Sequence, residues 1–306
     1  MERERLAYNV WGVIPGESQE KILLTAHYDS YFAGFQDDNT AVSMIISMAR
    51  SLIASGYRPR RTIVVCAMAA EEWGIINSKY DWSTGAWQQM FKVRPQWRRE
   101  AVADLNFELP AYVHDRQDAI RGTYEFKDFL EEFLRNLPPE VDPREAYPDG
   151  ITVCAPIETW SDDFSVAISG VPSLVNDFSG GSFMETHYHS QFDNDDFYDE
   201  KVYRFHHQLY GLLLMELDQA AVAPVNPAEI FRQLRRSIRP VTGEEDETAI
   251  RSLLLRLTEA EELGDRLYRR VRERNRAGQA DSALQRGLLN LFQKSQDYFV
   301  RLDWQD

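Results

Sequence analysis

Short apolar runs rich in β-branched residues alternate with helical patterns over the first two thirds of this 306-residue chain. Such alternation is typical of a mainly parallel sheet whose two faces are covered by helices. The sequence therefore predicts an α/β fold with a mixed, mainly parallel sheet. Five strands are predicted, at Tyr8 to Val13, Lys21 to Ala26, Thr62 to Ala69, Ala101 to Asn106 and Pro172 to Phe178.

Three helices are predicted among these strands. The first begins at a Thr40 cap and ends near Gly56, and its apolar residues recur at helical spacing. A short helix begins after a Ser161 cap, and a long one runs from Asp199 to Val222.

Two prolines, Pro224 and Pro227, mark a boundary beyond which only helical patterns follow. We therefore predict an α/β domain over residues 1–222 and a helical appendage over residues 223–306. The appendage contains three predicted helices, at Pro227 to Ile238, Glu245 to about Arg276 and Ser282 to about Arg301.

Charge and hydropathy exclude several classes of protein. The formal net charge of −15 argues against a nucleic-acid partner. The longest near-continuous apolar run, Ile63 to Ala70, is too short to span a bilayer. Met1 is followed at once by charged residues, so this chain shows no signal peptide. We expect a cytoplasmic protein from the chain as it stands and an extracytoplasmic one if its N-terminus is truncated, so the compartment stays open.

Metal-ligating side chains occur in four segments, most of them at or soon after the end of a predicted strand. In an open α/β sheet such side chains converge in the crevice outside the carboxyl ends of the strands. Imidazole and carboxylate are ligands that zinc accepts, and an open site also needs a base for water. The segments contain His27 and Asp29, Asp37 and Asp38, Glu71 and Glu72, and Tyr188 and His189.

Each segment also has a structural explanation. Acidic residues before a helix are usually caps, and a single His-x-Asp is usually a surface pair. Taken singly, each segment favours that explanation. Their joint occurrence in order, close to strand ends, favours a metal site.

These motifs resemble those of the co-catalytic zinc aminopeptidases, a family that also includes glutamate carboxypeptidase, plasma dipeptidase, glutaminyl cyclase and the transferrin receptor. The resemblance runs from Tyr8 through about Leu217. It implies a phosphorylase/hydrolase-like fold, zinc as cofactor and a peptide substrate. The helical appendage resembles the dimerisation domain of the transferrin-receptor-like branch, which implies a homodimer formed through the C-terminal helices.

The resemblance also implies roles for individual residues. Asp37 would bridge two metal ions, Glu72 and His189 would complete the first site, and His27 would hold the second. The remaining implied features are Glu71 as the general base, Tyr188 as a donor to the oxyanion, Asp29 as acceptor of the other imidazole N–H of His27, and a cis peptide between Asp37 and Asp38.

The sequence departs from the family pattern on the fourth predicted strand. Asn106 stands where the family has the aspartate of the second metal site. A neutral amide is a poorer ligand than a carboxylate, so we expect a weaker second metal unless Glu108 or Asp104 replaces it. Alternation places both acids on the same face as Asn106. The sequence is therefore compatible with either one or two zinc ions per chain.

A second departure concerns substrate specificity. Asp177 stands near the place where the glutamate carboxypeptidase branch has arginines for acidic substrates. Asp177 would repel an acidic substrate tail, and the neighbourhood of His189 adds Asp193, Asp195, Asp196 and Asp199. We therefore expect an aminopeptidase. A catalytically inactive receptor-like protein and a single-zinc glutaminyl cyclase are the alternatives.

Overall fold

A computed structural model describes residues 6–74, 82–239 and 244–300. Seven strands form one sheet in these ranges: β1 Val10–Ile14, β2 Ser18–His27, β3 Arg61–Met68, β4 Ala101–Asn106, β5 Asp118–Gly122, β6 Ile151–Cys154 and β7 Ser173–Asn176. The helices are α1 Ala41–Ala54, α2 Thr84–Gln88, α3 Trp97–Glu100, α4 Lys127–Arg135, α5 Asp162–Ile168, α6 Gly181–Thr186, α7 Glu200–Gln219, α8 Ala228–Ser237, α9 Glu244–Arg276 and α10 Ser282–Ser295.

The strand order is β1-β3-β2-β4-β7-β5-β6, so the central strands are β2 and β4. Strands β3, β2, β4 and β7 run parallel to one another, whereas β1 pairs antiparallel with β3 and β5 pairs antiparallel with β7. The predicted α/β class with a mixed, mainly parallel sheet is confirmed. Because β2, β3 and β4 are parallel, their carboxyl ends meet at one edge.

Strands β5 and β6 were not predicted from the sequence. Both are short, and β5 carries the charged residues Asp118 and Arg121. Strand β5 pairs with β6 and with β7, and these partners are distant in sequence, so local patterns do not reveal the pairing. Long-range contacts therefore define these two strands, because their sequences lack a clear alternation of apolar and polar residues.

Helices cover both faces of the sheet. On one face Ile22 and Leu24 of β2 pack in a core cluster with α1 and α7, and on the other face Leu23 packs in a cluster with Val64 and Cys66 of β3. Buried residues therefore alternate between two cores along β2. Cys66 is a buried thiol, as its apolar surroundings in the sequence predict.

Two helix starts were predicted with side-chain caps, and one of these predictions is confirmed, because Ser161 accepts a hydrogen bond from the Asp162 N–H. The long helix α7 is also capped, by Asp199, which accepts bonds from its first turn. The prediction for Thr40 is wrong. Its hydroxyl donates to the Gln36 carbonyl at 3.0 Å, because a preceding irregular turn, residues 35–40, already continues into α1.

The C-terminal helices α8, α9 and α10 lie close to their predicted positions, although Arg301 is outside the described residues. Tyr268 and Val271 of α9 and Leu284 of α10 belong to the same core cluster as Ile22 of the sheet. The appendage therefore packs on the α/β part. The domain boundary at residue 222 stays a prediction.

None of the helices in the described ranges is both long enough and apolar enough to cross a bilayer.

Candidate metal centre

The predicted metal-ligating residues converge at the carboxyl edge of the parallel strands. His27 is the last residue of β2, Glu71 and Glu72 follow β3, and Glu108 follows β4. Asp37 enters from the turn before α1. The fifth contributing segment, after α6, brings His189 to the same place.

Asp37 lies between the two histidines. Its Oδ1 is 3.2 Å from His27 Nε2, and its Oδ2 is 3.2 Å from His189 Nε2. Glu108 Oε2 lies 3.4 Å from His27 Nε2, and Glu72 Oε2 lies 3.2 Å from His189 Nε2. Each imidazole therefore meets one oxygen of Asp37 and one further carboxylate.

Three groups of these side chains bring a ligand atom from each member within 4.8 Å of the others. The groups are His27 with Asp37 and Glu108, Asp37 with Glu72 and His189, and His27 with Glu71 and Glu72. The first two groups share Asp37. They therefore form two adjacent sets of candidate ligands with one carboxylate in common.

Asn106 forms its hydrogen bonds inside and beside the sheet, and its role as a metal ligand stays a prediction. Its Nδ2 donates to Ser161 Oγ at 2.6 Å, and its Oδ1 accepts from Thr25 Oγ1 at 2.9 Å. The reason is register, because Asn106 is the last residue of β4 and pairs with Thr25 inside the sheet. Glu108, two residues further on, has left the strand and reaches the site. The Ser161 hydroxyl in turn donates to Glu108.

Asp104, the other suggested replacement, is outside the ligand groups. The Thr25 hydroxyl lies 2.9 Å from the Asp104 carboxyl as well as from Asn106 Oδ1, and Asp104 is fully buried. Burial raises the pKa of Asp104 to about 8, which makes it a mainly neutral acid near pH 7.

The Asp29 carboxylate lies 3.7 Å from His27 Nδ1, close enough for an ion pair but longer than a hydrogen bond. His27 Nδ1 lies 2.8 Å from the main-chain oxygen of Asp29, whereas the carboxylate accepts hydrogen bonds from the N–H groups of Glu71 and Glu72 at 3.1 and 3.2 Å. Asp29 thus fixes the His27 ring through its backbone. Its side chain fixes the turn that carries the two glutamates.

The same turn is held from its other side by the start of α2. The main-chain N–H groups of Ser83 and Thr84 donate to the carbonyls of Glu71 and Ala70. Ala70 has a φ of +56°, a conformation that is costly for a residue with a Cβ. His189 has a φ of +54° and Leu109, next to Glu108, has a φ of +44°, so three of the segments that form the site contain a residue in the left-handed region.

Two aspartates near Asp37 hold main-chain groups. The Asp193 carboxylate accepts hydrogen bonds from the N–H groups of Gln36 and Asp37 at 2.9 and 3.1 Å. Asp38 accepts from Leu109 N at 3.0 Å and from His27 N at 3.3 Å. The Asp37–Asp38 peptide is cis, as the resemblance implies.

Two of the aspartates expected to act on the charge of a substrate, Asp177 and Asp199, already accept hydrogen bonds from neighbouring residues. Asp177 accepts hydrogen bonds from the N–H of Phe178 and the hydroxyl of Ser179, and lies 3.6 Å from Arg121. Asp177 therefore does not present a free charge to a substrate. Asp199 is likewise used as the cap of α7.

The carboxylates and imidazoles perturb one another's protonation strongly. Burial lowers the pKa of His189, but Asp37 and Glu72 outweigh burial and raise it to about 9. Burial also opposes the His27 shift, yet Glu108 and Asp38 raise that pKa well above its usual value. Burial works to raise the pKa of Asp37, and the two histidines lower it to about 2. Protons on the imidazoles thus balance the carboxylates when no metal ion is bound.

Without a metal ion, the ionised forms of Glu71 and Glu72 are unfavourable, and the pKa of each carboxyl group is raised. Burial, with the charges of Glu108 and Glu72, raises the pKa of Glu71 well above its usual range despite His27. Burial also raises the pKa of Glu72, and its buried Oε1 has no hydrogen-bond partner among the residues that the structure describes. A divalent cation would relieve both the crowding of charge and this unpaired oxygen, so the donor set fits such an ion.

Aromatic rings border the site. The Tyr188 ring stacks on His189 with centroids 3.7 Å apart, and burial and Asp37 raise its pKa above the usual range. Tyr31, which the sequence did not single out, lies 4.6 Å from the His189 ring and 5.6 Å from Trp73. The sequence offered one signal for Tyr31, its position two residues after Asp29. Ser161 was predicted as a helix cap, but its hydrogen bond to Glu108 was not predicted.

Substitution of Asp29 by asparagine should loosen the turn that carries Glu71 and Glu72, because an amide offers one acceptor oxygen to two N–H groups. We expect a loss of about 1–3 kcal/mol in the free energy of unfolding, measured with urea on metal-free protein. Asp142→Asn is the matched control. Asp142 also accepts a main-chain N–H, from Arg144, but on an exposed turn far along the chain. A smaller loss for Asp29→Asn than for the control would contradict the assignment.

Comparison with known proteins identifies the family. Residues 9–211 match the model of peptidase family M28. A relative from Arabidopsis thaliana, named "Probable glutamate carboxypeptidase AMP1", is 31% identical over 101 residues, which cover 32% of this chain and 12% of that protein. A maize protein of the same description is 26% identical over 111 residues, or 35% of this chain and 13% of that protein. The matched segments thus span about an eighth of these curated relatives.

Solved structures share the fold. A zinc aminopeptidase from Bacillus subtilis superposes with a TM-score of 0.53 at 16% identity, covering 68% of this chain and 49% of that one. A glutaminyl cyclase from an Acidobacteriales bacterium gives a TM-score of 0.55 at 18% identity, covering 69% and 73%. With the family match extending over more than half of the sequence, the chain belongs to peptidase family M28.

Proposed function

We propose that this protein is a zinc-dependent exopeptidase that removes residues from the amino end of peptides. The observation that carries the proposal is the pair of ligand groups sharing Asp37, one with His27 and Glu108 and the other with Glu72 and His189. Imidazole and carboxylate suit zinc, and one carboxylate has oxygens for two ions. The zinc aminopeptidase from Bacillus subtilis among its structural neighbours supports this choice of metal.

Zinc supplies a Lewis acid that polarises the scissile carbonyl and makes water acidic enough to attack at neutral pH. Glu71 lies beside His27 and Glu72 but outside both groups that contain Asp37. Its carboxylate is therefore available as a general base. In this proposal Glu71 takes a proton from the attacking water and passes it to the leaving amine.

Tyr188 is proposed to stabilise the oxyanion. Its raised pKa keeps the phenol protonated, and the shift arises from burial and from the charge of Asp37, the acid at the centre of the site. A preorganised O–H donor at this position would act where negative charge develops in the transition state.

The charge around the site favours an amine terminus over a carboxylate terminus. The ligand groups are rich in carboxylates, whereas a carboxyl terminus needs a cation. Arg121, the basic side chain beside Asp177, lies 3.3 Å from Glu158 and 3.6 Å from Asp177 and is thus already engaged. Trp73, which is 55% exposed beside Tyr31, adds apolar surface suited to an apolar substrate side chain.

Substitution of Glu71 by glutamine should lower kcat/KM for an aminoacyl-anilide by about 10²- to 10⁴-fold, because the proton acceptor is lost while the shape is kept. Zinc bound per chain should be unchanged, as measured by elemental analysis of the same preparation. Glu145→Gln, at an exposed position in the turn Pro143–Glu145, is the control and should keep full activity. Full activity of Glu71→Gln would remove Glu71 from the role of base.

Glutaminyl cyclisation is the second candidate, favoured by the glutaminyl cyclase among the structural neighbours. The same wild-type preparation distinguishes the two reactions when it is incubated with a peptide that begins with glutamine. Cyclisation releases ammonia and leaves the chain intact, whereas hydrolysis shortens the peptide, and mass spectrometry separates these products. Absence of any zinc-dependent product would favour a receptor-like role.

We also propose a homodimer formed through the C-terminal helices. Three leucines of α9 are 46%, 61% and 50% exposed: Leu253, Leu255 and Leu263. Exposed apolar side chains on a long helix are suited to pairing with a second copy. Light scattering at micromolar concentration should give the mass of two chains, and Leu255→Glu should shift it towards one. A wild-type monomer would refute the proposal.

A further inference from the structure

A partly open cavity lies away from the candidate metal centre. Its volume is about 390 Å³, within the range of small-molecule sites. It is lined by α8, by the turn Gln296–Val300, by the start of the turn Tyr124–Phe126 and by the loop after β6. It shares no residue with the ligand groups of the metal centre.

The cavity contains a buried acid without a partner. Glu125 is 2% exposed, and among the described residues neither of its carboxylate oxygens has a hydrogen-bond partner in another side chain or main-chain group. The hydroxyl of Thr123, which is 4% exposed, also lacks a partner within these ranges. Burial of an unpaired polar group is costly, and two such groups lining one cavity indicate a missing partner.

None of the described residues that line the cavity carries a positive charge to balance the Glu125 carboxylate. Burial raises its pKa to about 7, and the opposing influence is its own main-chain N–H. Tyr124 is the other titratable residue that lines the cavity, and its pKa is raised by burial and by Glu125. Helix α8 contributes Gln233 and Ser237, and the Gln296–Val300 turn contributes Gln296, none of which carries a charge.

The rest of the wall is mainly apolar. Phe164 and Ile230 are buried there, and Leu234, Phe299 and Val300 continue the surface. A ligand for this cavity therefore needs one strong donor at Glu125 and an apolar body beside it. A cationic donor gains most, because a charged hydrogen bond in a dry site is stronger than a neutral one.

We propose that this cavity binds a small protonated amine with an apolar or aromatic body, whose ammonium group donates to Glu125. A carboxylate ligand would be repelled, and a neutral apolar ligand would leave Glu125 unpaired. The proposal is independent of the function proposed for the metal centre, since the two sites have no residue in common.

The test uses 2-phenylethylammonium as the probe and 2-phenylethanol as its neutral counterpart, in calorimetric titrations of the full chain. We expect one ammonium site per chain, with at least about 10-fold weaker binding of the alcohol. Ammonium affinity should rise as pH increases from 6 to 8, because Glu125 ionises through about 7 while the amine stays charged. An affinity for the alcohol equal to that for the ammonium would overturn the proposal.

Two variants and one control locate the binding. Glu125→Gln should weaken ammonium binding by at least about 10-fold and remove its pH dependence. Leu234→Trp should fill the cavity and abolish binding while Glu125 stays in place, which keeps the test decisive if the first variant folds poorly. Glu140→Gln, an exposed acid, is the control. Undiminished binding by both cavity variants would place the amine elsewhere, such as the metal centre, and overturn the proposal.

Discussion

The Asp37 carboxylate, held between two imidazoles, is the interaction on which the rest of the site depends. One oxygen faces His27 from the end of β2, and the other faces His189 from the segment after α6. These histidines are 162 positions apart in the chain, so the bridge ties the centre of the sheet to a late loop. In the metal-free protein, protonated imidazoles and the ionised Asp37 stabilise one another, as their opposite pKa shifts indicate. A metal ion would replace those protons, so metal affinity should be coupled to proton release.

A surrounding set of aspartates holds the backbone that presents the ligands. Asp193 fixes the main chain at Asp37, Asp38 connects His27 to the segment after β4, and Asp29 fixes the turn of Glu71 and Glu72. Carboxylates that accept main-chain N–H groups position the neighbouring residues to a fraction of an ångström, which metal binding requires. Much of the acidic composition near the cleft is therefore used for architecture.

The parts of the structure that follow from local pattern were predictable from the sequence. The central strands, the α1 and α7 helices and the convergence of His27, Asp37, Glu72 and His189 rest on periodicity and on the geometry of parallel sheets. Strands β5 and β6 escaped prediction because long-range pairing, and not local alternation, defines them. The resemblance implied a contact between the Asp29 carboxylate and His27, and the two groups lie 3.7 Å apart, but the shorter contact of the ring was not predicted. The structure shows that the main chain makes this contact.

Residues 106 to 108 illustrate the limit of sequence reasoning most clearly. The predicted end of the strand at Asn106 is confirmed, but alternation placed Asn106 and Glu108 on one face and did not tell which of them reaches the site. Since the strand ends at Asn106, its amide stays in the sheet with Thr25, while Glu108 extends to His27. In the proposed centre Glu108 thus supplies the carboxylate of the second metal, and Ser161 orients it.

Zinc stoichiometry measured by elemental analysis, after zinc loading and desalting, tests this account most directly. Two ions per wild-type chain, falling to one in Glu108→Ala, are expected if Asp37 is shared by two complete ligand sets. One ion in the wild type, or two ions retained by Glu108→Ala, would contradict the account.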